Sequence, residues 1–412
     1  MELDSKQRTR ILHAIKKRVL AHHINLAAID YAAWAARVDG RTSELLAANV
    51  GGFEAGVRDF LSELKTSHTG FYSSVPRDFL PQHTIGATLR QLSRNGGNKW
   101  MFLDVFESGP AHRAGIGPGD ILEAVDGTAC LSQATPQFGF AQTYTFLVAK
   151  VGMERATDIA VTVPKRKATA MRPPFVEPKS PIHAKIGPNI GLLKVNYFPG
   201  AFGMRFSAVL RRMIEDLVKR DCDRLIVDLR GSIGGSLGFA HLASYMCPGR
   251  IAIGHSLTPK RQRTGYDPKE LPHEPMPKNP PELLFTLARY TGRDRSLMLL
   301  TEGLGAQPFH KRIVVLANEW TNSAAEMVTN FAAENRLATV VGGKTHGSAL
   351  GAVQFKVGCG YWLRIPIFGW FTSKGASLEG DGVNPDVEIS SDGLAVGRDD
   401  QMMKAVEIVN AL

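Results

Sequence analysis

The sequence predicts an α/β multidomain protein, with a helical N-terminal region over residues 1–82, a β-rich module over 83–165 and a layered α/β core over 166–412. Three textures along the chain predict it. Up to about residue 67, apolar residues recur at helical spacing: Ile11, Ile15, Val19 and Leu20, then Phe53, Val57, Phe60, Leu61 and Leu64. From about Thr84 to Pro164 the pattern changes to short alternating runs broken by glycine, as in small antiparallel sheets. Beyond Pro181, strand-like and helix-like segments alternate, which is the signature of an α/β layer fold. At 412 residues the chain exceeds one ordinary domain.

Each element has a local reason. The second N-terminal helix is expected to run into KTSHTGF and to stop at Gly70. His22 and His23 are adjacent and so cannot share a helix face, which argues against joint metal binding. In the β-rich part, GPAHRAGIGPGDILEAVDGTA (109–129) reads as a short helix at Ala111–Ala114, a glycine turn, a strand at Ile121–Val125 and a hairpin turn at Asp126-Gly127. The Pro- and Lys-rich stretch PKRKATAMRPPFVEPKSP then leads into the core, where a helix is expected from Phe202 to Arg220. A basic, proline-containing insertion at about 253–307 reads either as a lid over a site or as a plain surface excursion. Finally, the apolar run Ile313–Ala317 and a polar turn bring Ser323 to the start of a helix-like segment. Ser323 and Glu326 form S-x-x-E, the pattern of a capping box. A serine between strand and helix is equally well placed to be a nucleophile, with the Ala324 N–H at a helix end that favours negative charge. Both readings stand at this point.

Composition narrows the class. Hydrophobic residues make up 44% and charged residues 21%, the balance of a soluble globular protein. The net charge of +10 raises the question of nucleic acid. The basic residues, however, fall in short clusters (Lys165-Arg166-Lys167; Lys260, Arg261 and Arg263) without interleaved aromatics, so no nucleic-acid partner is expected. The four cysteines are widely spaced, which fits reduced thiols and neither a zinc site nor a disulfide framework. Neither a metal nor another cofactor is expected. No run of 18 apolar residues occurs and the N-terminus lacks a signal-peptide core, so the chain reads as cytoplasmic, or as exported if a leader has been removed.

The motifs taken together carry more than any of them alone. The segment 109–129 resembles the core of a PDZ domain, a module that takes up a peptide as an added strand. That resemblance implies a carboxylate-binding loop, for which Ile85 and Gly86 are the candidates. Further along stand DLRGSIGG (228–235), NEWTNSAAE (318–326), VGGKTHG (341–347) and GDGVNPDVEI (380–389). In this order they resemble the tail-specific, or C-terminal processing, serine proteases, a family with a crotonase-like core. On that resemblance Ser323 is the nucleophile. The common branch of the family uses a lysine base soon after V-G-x-K-T-x-G; here Ser348 stands at that position, and Lys344 is the earlier, structural lysine. A tricorn-core-like branch uses histidine and a carboxylate instead, and its pattern falls on His68, with Ser67 in support, and on Glu379.

The roles follow from the chemistry. His68 would take the Ser323 proton and pass it to the leaving amine, and Glu379 would fix its tautomer. The oxyanion would be met by the N–H of Ala324 with that of Gly234, or of Gly235 as the next choice. Asp381 is the alternative carboxylate and His346 a rival base, at a position that is commonly a core aromatic in related proteins. His241 reads as a packing residue. The function implied is a serine endopeptidase acting on polypeptides through an acyl-enzyme, with the PDZ module assisting capture or gating and homo-oligomerisation possible. The alternative is a non-catalytic homologue that binds a peptide or an apolar ligand, and Ser348 in place of lysine is what favours it.

Overall fold

A computed structural model describes residues 3–73, 79–94, 97–169, 172–200, 202–277 and 279–412. Its centre is a sheet in the order Val387–Glu388, Thr339–Gly342, Ile313–Ala317, Arg224–Asp228, Ile190–Lys194 and Ile182–Lys185, parallel except for the last pair. Buried on both faces, its inner strands read as continuous apolar runs. Leu225, Val227, Ile313, Val315 and Ala317 face the helices Met204–Lys219, Gly238–Ser244 and Ala324–Glu334. Ile226, Val314 and Leu316 point the other way, onto Ala405 and Val409 of the helix Asp400–Ala411. This is the strand period of two put to use on two cores.

A second sheet covers the far side of the helix layer. It joins Gly70–Ser73, Tyr361–Thr372, Ala252–Leu257, Leu297–Leu300 and His273–Pro275, with Gly351–Gly358 also paired to Tyr361–Thr372. Residues 253–307 are therefore no mere excursion: their three strands, Ala252–Leu257, His273–Pro275 and Leu297–Leu300, belong to this sheet, and Ile253, Met276 and Leu299 enter the main core.

The N-terminal helices are not a free-standing domain either. Ile11, Ile15, Val19, Phe53, Val57 and Phe60 share one core with Val357, Tyr361, Leu363 and Ile365 of the second sheet. Leu12 completes that stripe, whereas Leu20 is 42% exposed, contrary to the expectation from spacing. The helix Val50–Ser62 ends well before Gly70. Lys65 and His68 both take positive φ, so the chain turns there, and Gly70 opens a strand instead of closing a helix. Likewise the helix expected from Phe202 begins at Met204.

The β-rich module is the antiparallel sheet Ala87–Arg94, Gly97–Val105, Ile121–Val125, Gln142–Ala149 and Thr157–Val163, with Thr128–Ala129 beside Ile121–Val125. The expected hairpin turn is present: Asp126 and Gly127 have φ of 49° and 75°, the sign that a type I′ turn demands. A short helix forms at Pro110–Arg113. The module is tied to the core through Asp104, whose Oδ2 accepts from Thr88 Oγ1 (2.5 Å) and from Asn318 Nδ2 (3.0 Å).

Arg230 of the DLRG stretch is a buried fastener. Its guanidinium donates twice to Asp228 (both 3.0 Å) and to Asp399 at the N-terminus of the last helix (2.8 Å). Burial by itself would raise the Asp228 carboxyl, but Arg230 and Lys194 outweigh it and hold its pKa at about 2. Arg230→Ala leaves Asp228 buried without this partner and is expected to cost about 3–5 kcal/mol of stability. Urea unfolding checks it; a loss below about 1 kcal/mol would show that water replaces the guanidinium freely.

Among the described residues, no helix is long and apolar enough to cross a membrane. The four cysteine sulfurs are unpaired.

Candidate active site

Ser323 sits in the sharp turn between the fully buried strand Ile313–Ala317 and the helix Ala324–Glu334. Its backbone is at φ 53°, ψ −118°, a conformation that costs a non-glycine residue about 1–3 kcal/mol. The turn is held from several sides. Asn322 N–H donates to Ser232 O (2.9 Å), Thr321 Oγ1 to Leu229 O (3.0 Å), and Gly231 N–H to Asn318 Oδ1 (3.0 Å). The glycine turn after DLRG is thereby stitched to the serine turn.

Glu326 is the hub. This fully buried carboxylate accepts from Ser323 N–H (2.9 Å) and Ser348 N–H (2.8 Å) on Oε2. On Oε1 it accepts from Gly347 N–H (2.6 Å) and Thr345 Oγ1 (2.7 Å). The S-x-x-E pattern thus does more than cap a helix: it fixes the serine's backbone to the VGGKTHG loop.

Gly234 packs against the serine. At its φ of 76°, a methyl group would stand 2.7 Å from Ser323 Cβ and 3.2 Å from Ala324 N, so no larger residue fits. Among the described residues, neither the Gly234 nor the Ala324 N–H has a hydrogen-bond acceptor. Gly235, at φ 138°, is bridged to Phe198 and passes against the Phe198 carbonyl.

The second half of the site is assembled by the pairing of Gly70–Ser73 with Tyr361–Thr372, which brings His68 to the C-terminal core. Thr66, two residues before His68, is anchored by the buried His23 (2.9 Å). Glu379 does not touch His68 directly. Ser67 stands between them: its N–H and Oγ–H both donate to the Glu379 carboxylate (2.6 and 2.8 Å), and its Oγ lies 2.8 Å from His68 Nδ1. A hydroxyl that gives its proton to a carboxylate must accept from its other neighbour, so Nδ1 carries the imidazole proton and Nε2 keeps its lone pair. Glu379 thus reaches the imidazole through Ser67. Burial raises the Glu379 carboxyl, as does the Glu326 charge; donation from Ser67 and from Ala349 N–H offsets part of it. Burial also pushes His68 well below the usual histidine range, and the positive field of Arg364 adds to this.

The two halves meet at the 345–349 loop. Glu326 holds Gly347 and Ser348 on one side, and Glu379 holds Ala349 on the other. Gly380 N–H donates to Gly347 O (2.9 Å), joining VGGKTHG to GDGVNPD. Ser323 and His68 share no direct hydrogen bond. A cleft of about 1960 Å³ is lined by Ser67, His68, Glu379, Gly347 and Gly380 among others, whereas Ser323, 8% exposed, is not on its wall.

The remaining candidates fall elsewhere. Asp381 is exposed and makes no side-chain hydrogen bond among the described residues. His346 is exposed, not a core residue, and its Nδ1 pairs with Ser348 Oγ (2.7 Å). Lys344 is exposed, and His241 is buried against Glu302 (2.6 Å). Ile85 and Gly86 both donate their N–H groups to Pro81 O (2.9 and 3.0 Å), so this loop offers no free amide nest to a carboxylate. Sequence reasoning passed over Glu326 except as a cap, and over Asn318 and Arg364 altogether. For Glu326 the signal was present in S-x-x-E; for Arg364 there was none.

Residues 189–389 match the model of peptidase family S41. Among curated proteins, the CtpA-like serine protease of Staphylococcus haemolyticus (strain JCSC1435) is 23% identical over 294 residues, covering 71% of this chain and 50% of that protein. The CtpA-like serine protease of Staphylococcus epidermidis (strain ATCC 12228) is 25% identical over 285 residues, covering 68% and 49%. The chain spans about half the length of the curated relatives it matches. Among solved structures, the photosystem II D1 C-terminal processing protease superposes with a TM-score of 0.57 at 16% identity, over 98% of this chain and 97% of that one. Mature CPAF does so with 0.56 at 14% identity, over 99% and 98%. At such identities the likeness is one of fold, a mixed α/β multidomain architecture. The matched stretch takes in both the serine turn and the glycine turn, so over residues 189–389 this chain is similar to peptidase family S41.

Proposed function

We propose that this chain is a serine endopeptidase that hydrolyses polypeptides through an acyl-enzyme. The observation that carries the reading is the strained strand–Ser323–helix turn, over-determined by Glu326 and flanked by two N–H groups without acceptors among the described residues. Strain of this kind lifts a serine hydroxyl off the end of a sheet. His68 Nε2 takes the Ser323 proton as Oγ attacks the peptide carbonyl, then delivers it to the leaving amine. Ser67 and Glu379 hold the imidazole in the tautomer that leaves Nε2 free. The Ala324 and Gly234 amides receive the oxyanion. Closure of Ser323 onto His68 accompanies substrate entry, since catalytic hydrogen bonds that are long in an empty site tighten in the complex.

The PDZ-like module assists substrate capture or gates the site. Supporting this, Thr88 on its edge strand Ala87–Arg94 is linked through Asp104 to Asn318, which holds the glycine turn. Substrates are unfolded or extended polypeptides.

Ser323→Ala is expected to lower casein hydrolysis by about 10⁴-fold or more, in line with removal of a triad serine. A fluorophosphonate probe should label the folded wild type at Ser323 and leave the variant unlabelled. Absence of labelling in folded wild type would favour a non-catalytic peptide- or ligand-binding homologue.

A further inference from the structure

Arg364 stands midway along the strand Tyr361–Thr372, directly opposite Gly70, two residues beyond His68. It lines the same cleft as Ser67, His68 and Glu379. Among the described residues its guanidinium has no hydrogen-bond acceptor, and no carboxylate lies within ion-pair distance. The two buried arginines among the described residues are both answered, Arg230 by Asp228 and Asp399 and Arg8 by the carbonyls of Leu45 and Leu46. Around Arg364 the titratable neighbours are the phenols Tyr72 and Tyr197 and the imidazoles His68 and His83, and none of them supplies a formal negative charge near neutral pH. The Tyr72 hydroxyl beside it is buried and also lacks a partner among the described residues. Half-buried on the cleft wall with no anion among the described residues, the guanidinium offers a planar fork of donors that matches a carboxylate.

From this placement we infer that Arg364 is a specificity-determining residue that binds a carboxylate of the polypeptide substrate in the cleft, with Tyr72 Oη as a second donor. The inference rests on the endopeptidase reading of the site and names what that site selects. The carboxylate has two possible sources on a polypeptide, the chain's own C-terminus or an acidic side chain. Either one would lie in the cleft that His68 lines, and binding of the neutral counterpart gives a readout separate from the effect of Arg364 on the His68 pKa.

Four peptides of one sequence separate the sources: C-terminal acid or amide, each with an internal Glu or Gln. Their affinities are measured by fluorescence anisotropy on the full chain carrying Ser323→Ala, which binds without turnover. One carboxylate is expected to tighten binding about 10–100-fold over its neutral counterpart, as a charge-assisted bidentate pair does. Preference for the acid over the amide assigns the C-terminus; preference for Glu over Gln assigns a side chain. Adding Arg364→Gln should abolish that preference and leave the neutral peptide's affinity within about twofold, while Arg364→Lys restores part of it. Equal affinity for all four peptides would overturn the inference, as would a preference that survives Arg364→Gln. Should Arg364→Gln fail to fold, the four-peptide comparison on the Arg364 protein still decides. Fluorophosphonate labelling of wild type is read separately, so failure of the endopeptidase reading cannot be confused with failure of the carboxylate site.

Discussion

His68→Ala is expected to lower kcat/KM on unfolded protein by about 10⁴-fold or more, with the fold intact. On the proposed mechanism the imidazole moves the serine's proton, and its Nδ1 is already committed to the Ser67–Glu379 relay. The pH dependence of the wild type carries an independent signature. Burial and the Arg364 field hold the folded-state pKa of His68 well below its ordinary 6.5. A base with a lowered pKa stays neutral, and so competent, as pH falls. The acidic limb of kcat/KM should therefore lie well below pH 6.5, and Arg364→Gln should move it upward. A limb at or above 6.5 would mean that His68 is not the titrating base. Ser67→Ala, which cuts the relay while leaving the imidazole, should reduce kcat by about 10²–10³-fold, a smaller loss than that of the base itself.

Glu326→Ala should be nearly as damaging, for a different reason. The substitution strips the acceptor from four buried donors: the N–H groups of Ser323, Gly347 and Ser348, and Thr345 Oγ1. At about 1–3 kcal/mol for each buried group left unsatisfied, the expected loss is about 4 kcal/mol or more. Surviving folded protein should label slowly with a fluorophosphonate, because nothing then holds the serine in its strained conformation. Glu326→Gln keeps the volume but turns an NH₂ toward donors, so it should lose most of the same stability. Denaturation midpoints and labelling rates on the two variants check this. Full labelling of a stable Glu326→Ala protein would show that the glycine turn alone holds the serine.

How much of this was legible beforehand differs by element. The strand Ile313–Ala317 and the helix after it follow from a five-residue apolar run and a helical repeat, both local properties. The turn at Asp126-Gly127 follows from dipeptide chemistry. Misreadings arose where tertiary contacts overrode local pattern. Gly70 looked like a helix stop because glycine ends helices, yet pairing with Arg364 makes it the start of a strand. Leu20 fits the apolar stripe by spacing, but the partner sheet covers Leu12 instead. The insertion at 253–307 gave no strand pattern strong enough to reveal that it extends a sheet, since the strands it meets lie far along the chain.

The sequence by itself determined the setting of Ser323, the glycine turn beside it and the motif order that resembles peptidase family S41. These depend on short-range chemistry: a serine at a strand–helix junction, positive-φ glycines, and an S-x-x-E pair. Only the tertiary structure decided that Ser67 stands between Glu379 and His68, that Glu326 is the hub joining two motifs, and that Arg364 lines the cleft with no anion among the described residues. Each of those facts is a contact between segments dozens to hundreds of residues apart, or the lack of one. Spacing along the chain carries no information about such contacts; packing of the sheets around the helix layer does.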